Sequence, residues 1–325
     1  MAKFTGRLVD IGIGKEATRG VGVDAQYWIP KTAITFDDKI SKALVAGSYG
    51  NITDAPMTAT IVSRWAEGNL EGELNLNSFG LLLLALVGSE SYSLAESGVG
   101  QHDYSLDNSV QHPSLTIHVK DPIGAMRFRM AMINSLEITI ALGDYVRYSA
   151  NFISKAHQDE ASPTVSYASD HRFTSKDLTV KVADDISGLS GASKLSIRSL
   201  TLTFEKEVER LEVLGTLDPE DIVNKTIRIT GTLELNYEDR TWRDYMLNGN
   251  IKAMQIKLEG SKLIGATKYP TLDIQFPKVH FEEWEPSREL GDIATQSINF
   301  TVMFDFTNER LWSTLQILNT VTSAY

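Results

Sequence analysis

Alternation with a period of two residues dominates the chain. Ile227, Ile229, Gly231, Leu233, Leu235 and Tyr237 fall on one side, and Arg228, Thr230, Thr232, Glu234 and Asn236 on the other. Successive side chains of a strand point to opposite faces, so this is a half-buried strand. An earlier stretch has the same form, with Leu70, Gly72, Leu74 and Leu76 set against Asn69, Glu71, Glu73 and Asn75. Two long strands, over 58–76 and 226–238, follow. Further strands are predicted over 114–119, 125–132, 135–142, 145–154, 195–204, 251–258, 271–276 and 296–306. Antiparallel sheets with one wet face produce this pattern.

Two segments change to helical spacing. Residues 78–87 (SFGLLLLALV) stop at Gly88, and residues 239–248 (DRTWRDYMLN) stop at Gly249. A glycine there suits a left-handed helix cap. The second segment is amphipathic through Trp242, Tyr245 and Met246. The first is apolar all round, which leaves two placements open, between subunits or beneath its own domain's loops.

Short stretches recur in order along the chain. GDYVRYSANF at 143–152 returns as GDIATQSINF at 291–300. ITFDDKI at 34–40 matches LTFEKEV at 202–208, Glu73-Leu74-Asn75 matches Glu234-Leu235-Asn236, and HPSLTI at 112–117 matches YPTLDI at 269–274. Collinear echoes predict one folding unit duplicated and fused, with shorter connections in the second copy. Two copies are too few for a solenoid. The expected domains are 1–165, which includes an N-terminal arm, and 166–325, each long enough to bury its own core. The polar stretch 156–170 is the expected junction.

Composition narrows the class. At 42% hydrophobic and 22% charged, the chain reads as an ordinary globular protein. No basic segment precedes an apolar core near the N-terminus, so no signal peptide is expected. The longest apolar run, Leu81 to Val87, is too short to span a membrane. With no cysteine, disulfides and thiolate metal sites are excluded, which fits synthesis in a reducing cytoplasm. A net charge of −11 disfavours a conventional nucleic-acid binder, which uses Lys and Arg to displace phosphate counterions.

Fragments that suggest catalysis fail on spacing. Gly12-Ile13-Gly14-Lys15 lacks the phosphate-loop frame and is read as part of a flexible N-terminal arm. His112 and His118 lack a third ligand and are read as surface or edge histidines. Glu282, Glu283 and Glu285 around Trp284 are read as a solvated strand end, since carboxylate separation across a sugar is not legible in sequence. Gly188-Leu189-Ser190-Gly191 lacks the nucleophile-elbow spacing. Neither an enzyme nor a cofactor or metal site is expected.

A two-copy β unit with one short helix and a long loop before its main strand resembles the tail tube proteins of long-tailed bacteriophages. EGELNLNSFGLLLLALVG at 71–88 and GDIATQSINFTVMFD at 291–305 add local likeness, and the resemblance covers most of residues 30–320. It implies a mainly β chain of two tandem antiparallel β-sandwich domains, each with one flanking helix. It implies trimeric, pseudo-hexameric rings of this chain, stacked into a virion tail tube. Tape-measure, terminator and distal tail proteins are the implied partners. DNA would pass through without specific binding, and no membrane insertion is implied. If the long strands belong to the inner sheet, Glu67, Asn69, Glu71, Glu73, Thr230, Thr232, Glu234 and Asn236 line the bore; otherwise they face solvent. Loops 41–56 and 209–224 are candidates for ring stacking through Ser48, Asn51, Asp54, Asp218, Glu220 and Asp221. The N-terminal arm, 1–28, is a third candidate. Other readings stay open: a minor tail, terminator, receptor-binding or decoration component, or a tandem lectin using Trp28, Trp65, Trp284 and Trp312.

Overall fold

The computed structural model describes the chain apart from residues 1–2, 46, 48–49, 51, 53–57, 289 and 291. The fold is mainly β, a β-sandwich in which every strand pairing is antiparallel. The first half comprises β1 (Asp10–Lys15), β2 (Tyr27–Ile29), β3 (Lys31–Ile34), β4 (Asp37–Leu44), β5 (Ala59–Glu73) and helix α1 (Leu76–Val87). It continues with β6 (Gly88–Glu96), β7 (Val99–Leu106), β8 (Leu115–Lys120), β9 (Ala125–Ala141), β10 (Arg147–Ser154) and β11 (Gln158–Glu160). The second half comprises β12 (Leu178–Ala183), β13 (Ile197–Leu211), β14 (Asp221–Asn236) and helix α2 (Thr241–Leu247). It ends with β15 (Ile251–Glu259), β16 (Thr271–Ser287), β17 (Thr295–Val302) and β18 (Thr314–Asn319).

One ladder occurs in both halves. The order β1-β8-β9-β10-β5, flanked by β3 and β4, parallels β12-β15-β16-β17-β14, flanked by β13. β9 and β16 each leave one layer for the other midway, so their two ends serve different sheets. The layers face each other through Phe36, which packs edge-on against Phe128 of β9 at 4.8 Å and against Phe152 of β10 at 6.4 Å.

The ladder irregularities also match. A bulge lies between Leu115 and Ile117 on β8, and between Lys252 and Met254 on β15. β10 shifts register on β9 between Asn151 and Phe152, and β17 shifts on β16 where Asn299 and Phe300 face Glu283 and Phe281. The shift at Lys31/Ala33 on β3 matches Ile197/Ser199, and that at Ser41/Lys42 on β4 matches Glu207/Val208. Bulges are built features that re-aim strands, so their coincidence is more telling than strand count.

These pairings re-register the sequence echoes. Arg147–Ser154 and Thr295–Val302 take equivalent partners, so GDYVRYSANF and GDIATQSINF are in register. Ser149 faces Glu71 as Ser297 faces Glu234, which displaces the Glu73/Glu234 echo by two residues. HPSLTI leads into β8 and YPTLDI into β16, which are not equivalent strands.

Helix α1 is almost wholly buried, capped by Gly88 at φ 96°. A side chain there would meet Asp107 and His112, and left-handed backbone already disfavours one. α1 is buried within the single chain without a neighbouring subunit, beneath β2, β6, β7 and β9 of its own half and β18 of the other rather than under its own half alone. Residues beyond 165 hold both its ends. Asp170 accepts from the Asn77 N–H at 2.9 Å, and the Leu76 N–H donates to the His171 carbonyl at 3.1 Å. At the other end the buried Lys206 ammonium donates to the Ala85 carbonyl at 2.9 Å. The segment between β11 and β12 is therefore packed onto the first half, with Phe173 fully buried.

Burial pushes the Lys206 amine down to about 7, with the nearby Arg19 charge adding to the effect. An unfolded lysine stays protonated to about 10.4. Between those values the unfolded chain binds more protons, so stability rises with pH across that window. Lys206→Met is expected to stabilise the fold at pH 6 by about 1–3 kcal/mol, because loss of the Ala85 hydrogen bond offsets part of the relieved desolvation. Urea unfolding of both chains at pH 6 and pH 9 checks this; the gap should narrow at pH 9.

The N-terminal segment corrects the expectation of a flexible arm. β1 lies between β2 and β8, with Ile11 and Ile13 fully buried. Glu16 is buried behind it, accepting from the Thr116 hydroxyl at 3.0 Å and the Met130 N–H at 2.8 Å. His112 and His118 are likewise buried rather than superficial. His118 bonds the Glu160 carboxylate and the Val23 carbonyl, each at 2.8 Å.

Candidate functional site

A single sheet crosses both halves. β4 pairs with β5, β5 with β10, β10 with β9, β9 with β13, β13 with β14, β14 with β17 and β17 with β16. Cross-strand neighbours share a face, so the registers define rows of side chains. One row runs Glu71, Ser149, Glu137, Thr203, Thr230, Thr301, His280. The next runs Glu73, Arg147, Thr139, Thr201, Thr232, Asn299, Glu283. On the opposite face Leu70, Ala150, Leu136, Phe204 and Ile229 form an equivalent row, all buried. The sheet is thus polar on one side and sealed by core on the other.

All eight predicted face residues, Glu67, Asn69, Glu71, Glu73, Thr230, Thr232, Glu234 and Asn236, lie on this polar side. Neutral donors hold many of its carboxylates. Asn69 donates to Glu71 at 2.9 Å and to the Ser149 hydroxyl at 2.8 Å; Thr139 donates to Glu137 at 3.2 Å. In the second half Asn299 donates to Glu283 at 2.9 Å, and Thr232 donates to Asn299 at 2.8 Å. Amide and hydroxyl partners fix a carboxylate without cancelling its charge. Cations are fewer: Arg172 pairs with Glu73 at 3.2 Å, Arg198 with Glu234 at 3.7 Å and Arg147 with Asp144 at 3.0 Å, while Arg228 stands exposed on β14 opposite Glu205. The face is acidic, braced and smooth. Sequence alone did not supply Ser149, Glu137, Thr203 or Asn299, since membership depends on pairing between distant strands.

The stacking candidates fare unevenly. Ser48, Asn51 and Asp54 lie outside the described residues. Asp218 is ion-paired with Arg64 at 2.5 Å, where the β13–β14 hairpin meets β5. Beside it the Arg210 guanidinium stacks 3.7 Å over Trp65, and Ser63 donates to Glu212 at 3.0 Å. Asp221 accepts from Arg19 at 2.6 Å; burial opposes its charge, yet this hydrogen bond holds the carboxyl below its usual range. Glu220 stays exposed. The same hairpin ends carry exposed apolar groups instead, Leu44, Val45 and Ile61 on one and Val213, Leu214 and Leu217 on the other.

Trp28 and Trp312 are buried, Trp65 is covered by Arg210, and Trp284 is tied to Gln296 at 2.8 Å. They do not form an exposed aromatic platform for sugars. No helix among the described residues is long and apolar enough to cross a membrane.

Fold and face together define a structural β protein. Its family follows from comparison with known sequences: the family described as phage tail tube protein matches residues 6–302, and the chain belongs to it. It is a structural component of a phage tail. No curated protein matches the chain significantly.

Proposed function

We propose that three copies close into a ring of six wall units, and that rings stack into a hollow tube conducting DNA into the host. Each chain contributes two fused units, 1–165 and 166–325. The repeated ladder with its matching bulges supports that division. The continuous polar face from β4 to β16 carries the functional reading, because it already crosses the junction of the halves without a break. Turned to the bore, its carboxylates outnumber its cations, repel phosphate and leave few sticking points for passing DNA. The exposed apolar hairpin ends are the surfaces for stacking, and apolar patches of that kind mark contact sites. Tape-measure, terminator and distal tail proteins complete the assembly, and the chain works without a cofactor or catalytic step.

Negative-stain microscopy of concentrated protein tests this reading. Hollow striated tubes are expected, and a monodisperse monomer at high concentration would overturn it. Deletion of 41–56 should leave a soluble, folded subunit that no longer forms long tubes. Long tubes from that deletion would remove the hairpin from the stacking contact.

A further inference from the structure

We infer that the ring closes by pairing the β4 edge of one copy with the end of β16 in the next copy, in the register that β13 and β9 already make within the chain. This rests on the ring reading above and adds which edges meet and how.

Inside the chain, Ser199–Glu205 of β13 pairs with Ala141–Ser135 of β9, joining the halves. Its counterparts are unpartnered on one side among the described residues. β4 bonds only β5, and Phe281–Ser287 of β16 bonds only β17. Open edges of this length invite pairing with another chain. The ladders fix the equivalence. Asp37 faces Glu67 and Glu67 faces Ile153, as Thr203 faces Thr230 and Thr230 faces Thr301. Glu285 faces Ser297 as Glu137 faces Ser149. Since Thr203 pairs with Glu137, Asp37 should pair with Glu285 of the next copy. Lys39 then meets Glu283, and Thr35 meets Ser287.

The chemistry at this edge is compatible with such a ladder. Lys39 and Glu283 form an opposite-charge cross-strand pair, which partly offsets the like charges of Asp37 and Glu285. Pro286 costs one bond. Tyr237 N–H donates to the Ala294 carbonyl, so Gln296 also turns toward β14 and Pro286 opposite it presents its missing donor to the open edge. Proline on an edge also discourages indiscriminate pairing before assembly.

The absence of cysteine makes the test clean. Thr35 N–H donates to the Asn69 carbonyl, toward β5, so Thr35 and Ser287 would form a non-hydrogen-bonded pair. The Cα separation of such a pair, about 4.5 Å, suits a disulfide. The double variant Thr35→Cys/Ser287→Cys, oxidised as assembled tubes, should run as a covalent trimer on non-reducing gels. Thr139→Cys/Thr201→Cys, the internal equivalent, should close within one chain, and Thr35→Cys/Glu285→Cys, two residues out of register, should stay monomeric. Tubes without the trimer, or with the displaced pair cross-linking instead, would overturn the register while leaving the tube intact. Failure of the unaltered chain to assemble would overturn both. If only the cysteine variant fails to assemble, charge exchange decides: Lys39→Glu should weaken assembly at least tenfold, and added Glu283→Lys should restore it. Absence of that rescue would overturn the pairing.

Discussion

Tubes in which Glu71, Glu137 and Glu234 are all replaced by lysine should retain DNA that the unaltered tube releases. The three positions share the polar face, Glu71 and Glu137 in one row and Glu234 four residues along β14 from the Thr230 of that row. Each exchange moves two unit charges, so three sites in three copies shift a ring by about 18 charges. Lysines facing phosphates bind through counterion release, and six to ten such contacts change affinity by about 10³–10⁵ between 50 and 200 mM salt. The expected result is DNA held at low salt and freed at high salt, with ejection from variant particles slowed at least about tenfold. Fluorescence of ejected DNA from single particles measures this directly. Unchanged ejection would mean that the face does not meet DNA.

Gly231→Val should destabilise the fold by about 3 kcal/mol or more. A β-carbon at Gly231 would overlap the ring of Phe300, which lies across it, and would sit 2.7 Å from the Thr201 carbonyl oxygen. Phe300 is buried among Leu233, Ile298 and Phe281, so it has little room to retreat, and overpacking of a filled core is costly. Gly68 occupies the equivalent ladder position and faces Phe152 as Gly231 faces Phe300. There the obstacle is Phe36 backbone at 2.5 Å, which cannot rotate away, so Gly68→Val should cost at least as much. Adding Phe300→Ala should relieve Gly231→Val, making the double variant less destabilised than the sum of the singles. Urea unfolding midpoints provide the test. Strict additivity would remove the proposed clash.

The polar face was legible in sequence because strand alternation is local. The echo that set Glu73 against Glu234 slips by two residues against the ladder, and a two-residue slip leaves every side chain on its own face. That is why the eight residues share one polar face although the register slipped. The β6–β7 hairpin was invisible because SESYSLAE is polar on both faces and carries no period. β1 was misread as a mobile arm because its glycines suggest flexibility, while Ile11 and Ile13 supply too short a run to outweigh them. The pairing of β13 with β9, which makes the face continuous, joins residues far apart in the chain and leaves no local signature.

The central claim is that the face bearing Glu71, Glu137 and Glu234 lines a bore. A cryo-electron microscopy map of the assembled tube, at a resolution that separates strands, tests it most directly. The account predicts β5, β10, β9, β13, β14 and β17 in the inner wall, with these three carboxylates pointing to the axis. A map that places them on the outer wall, or against the next ring, would contradict it.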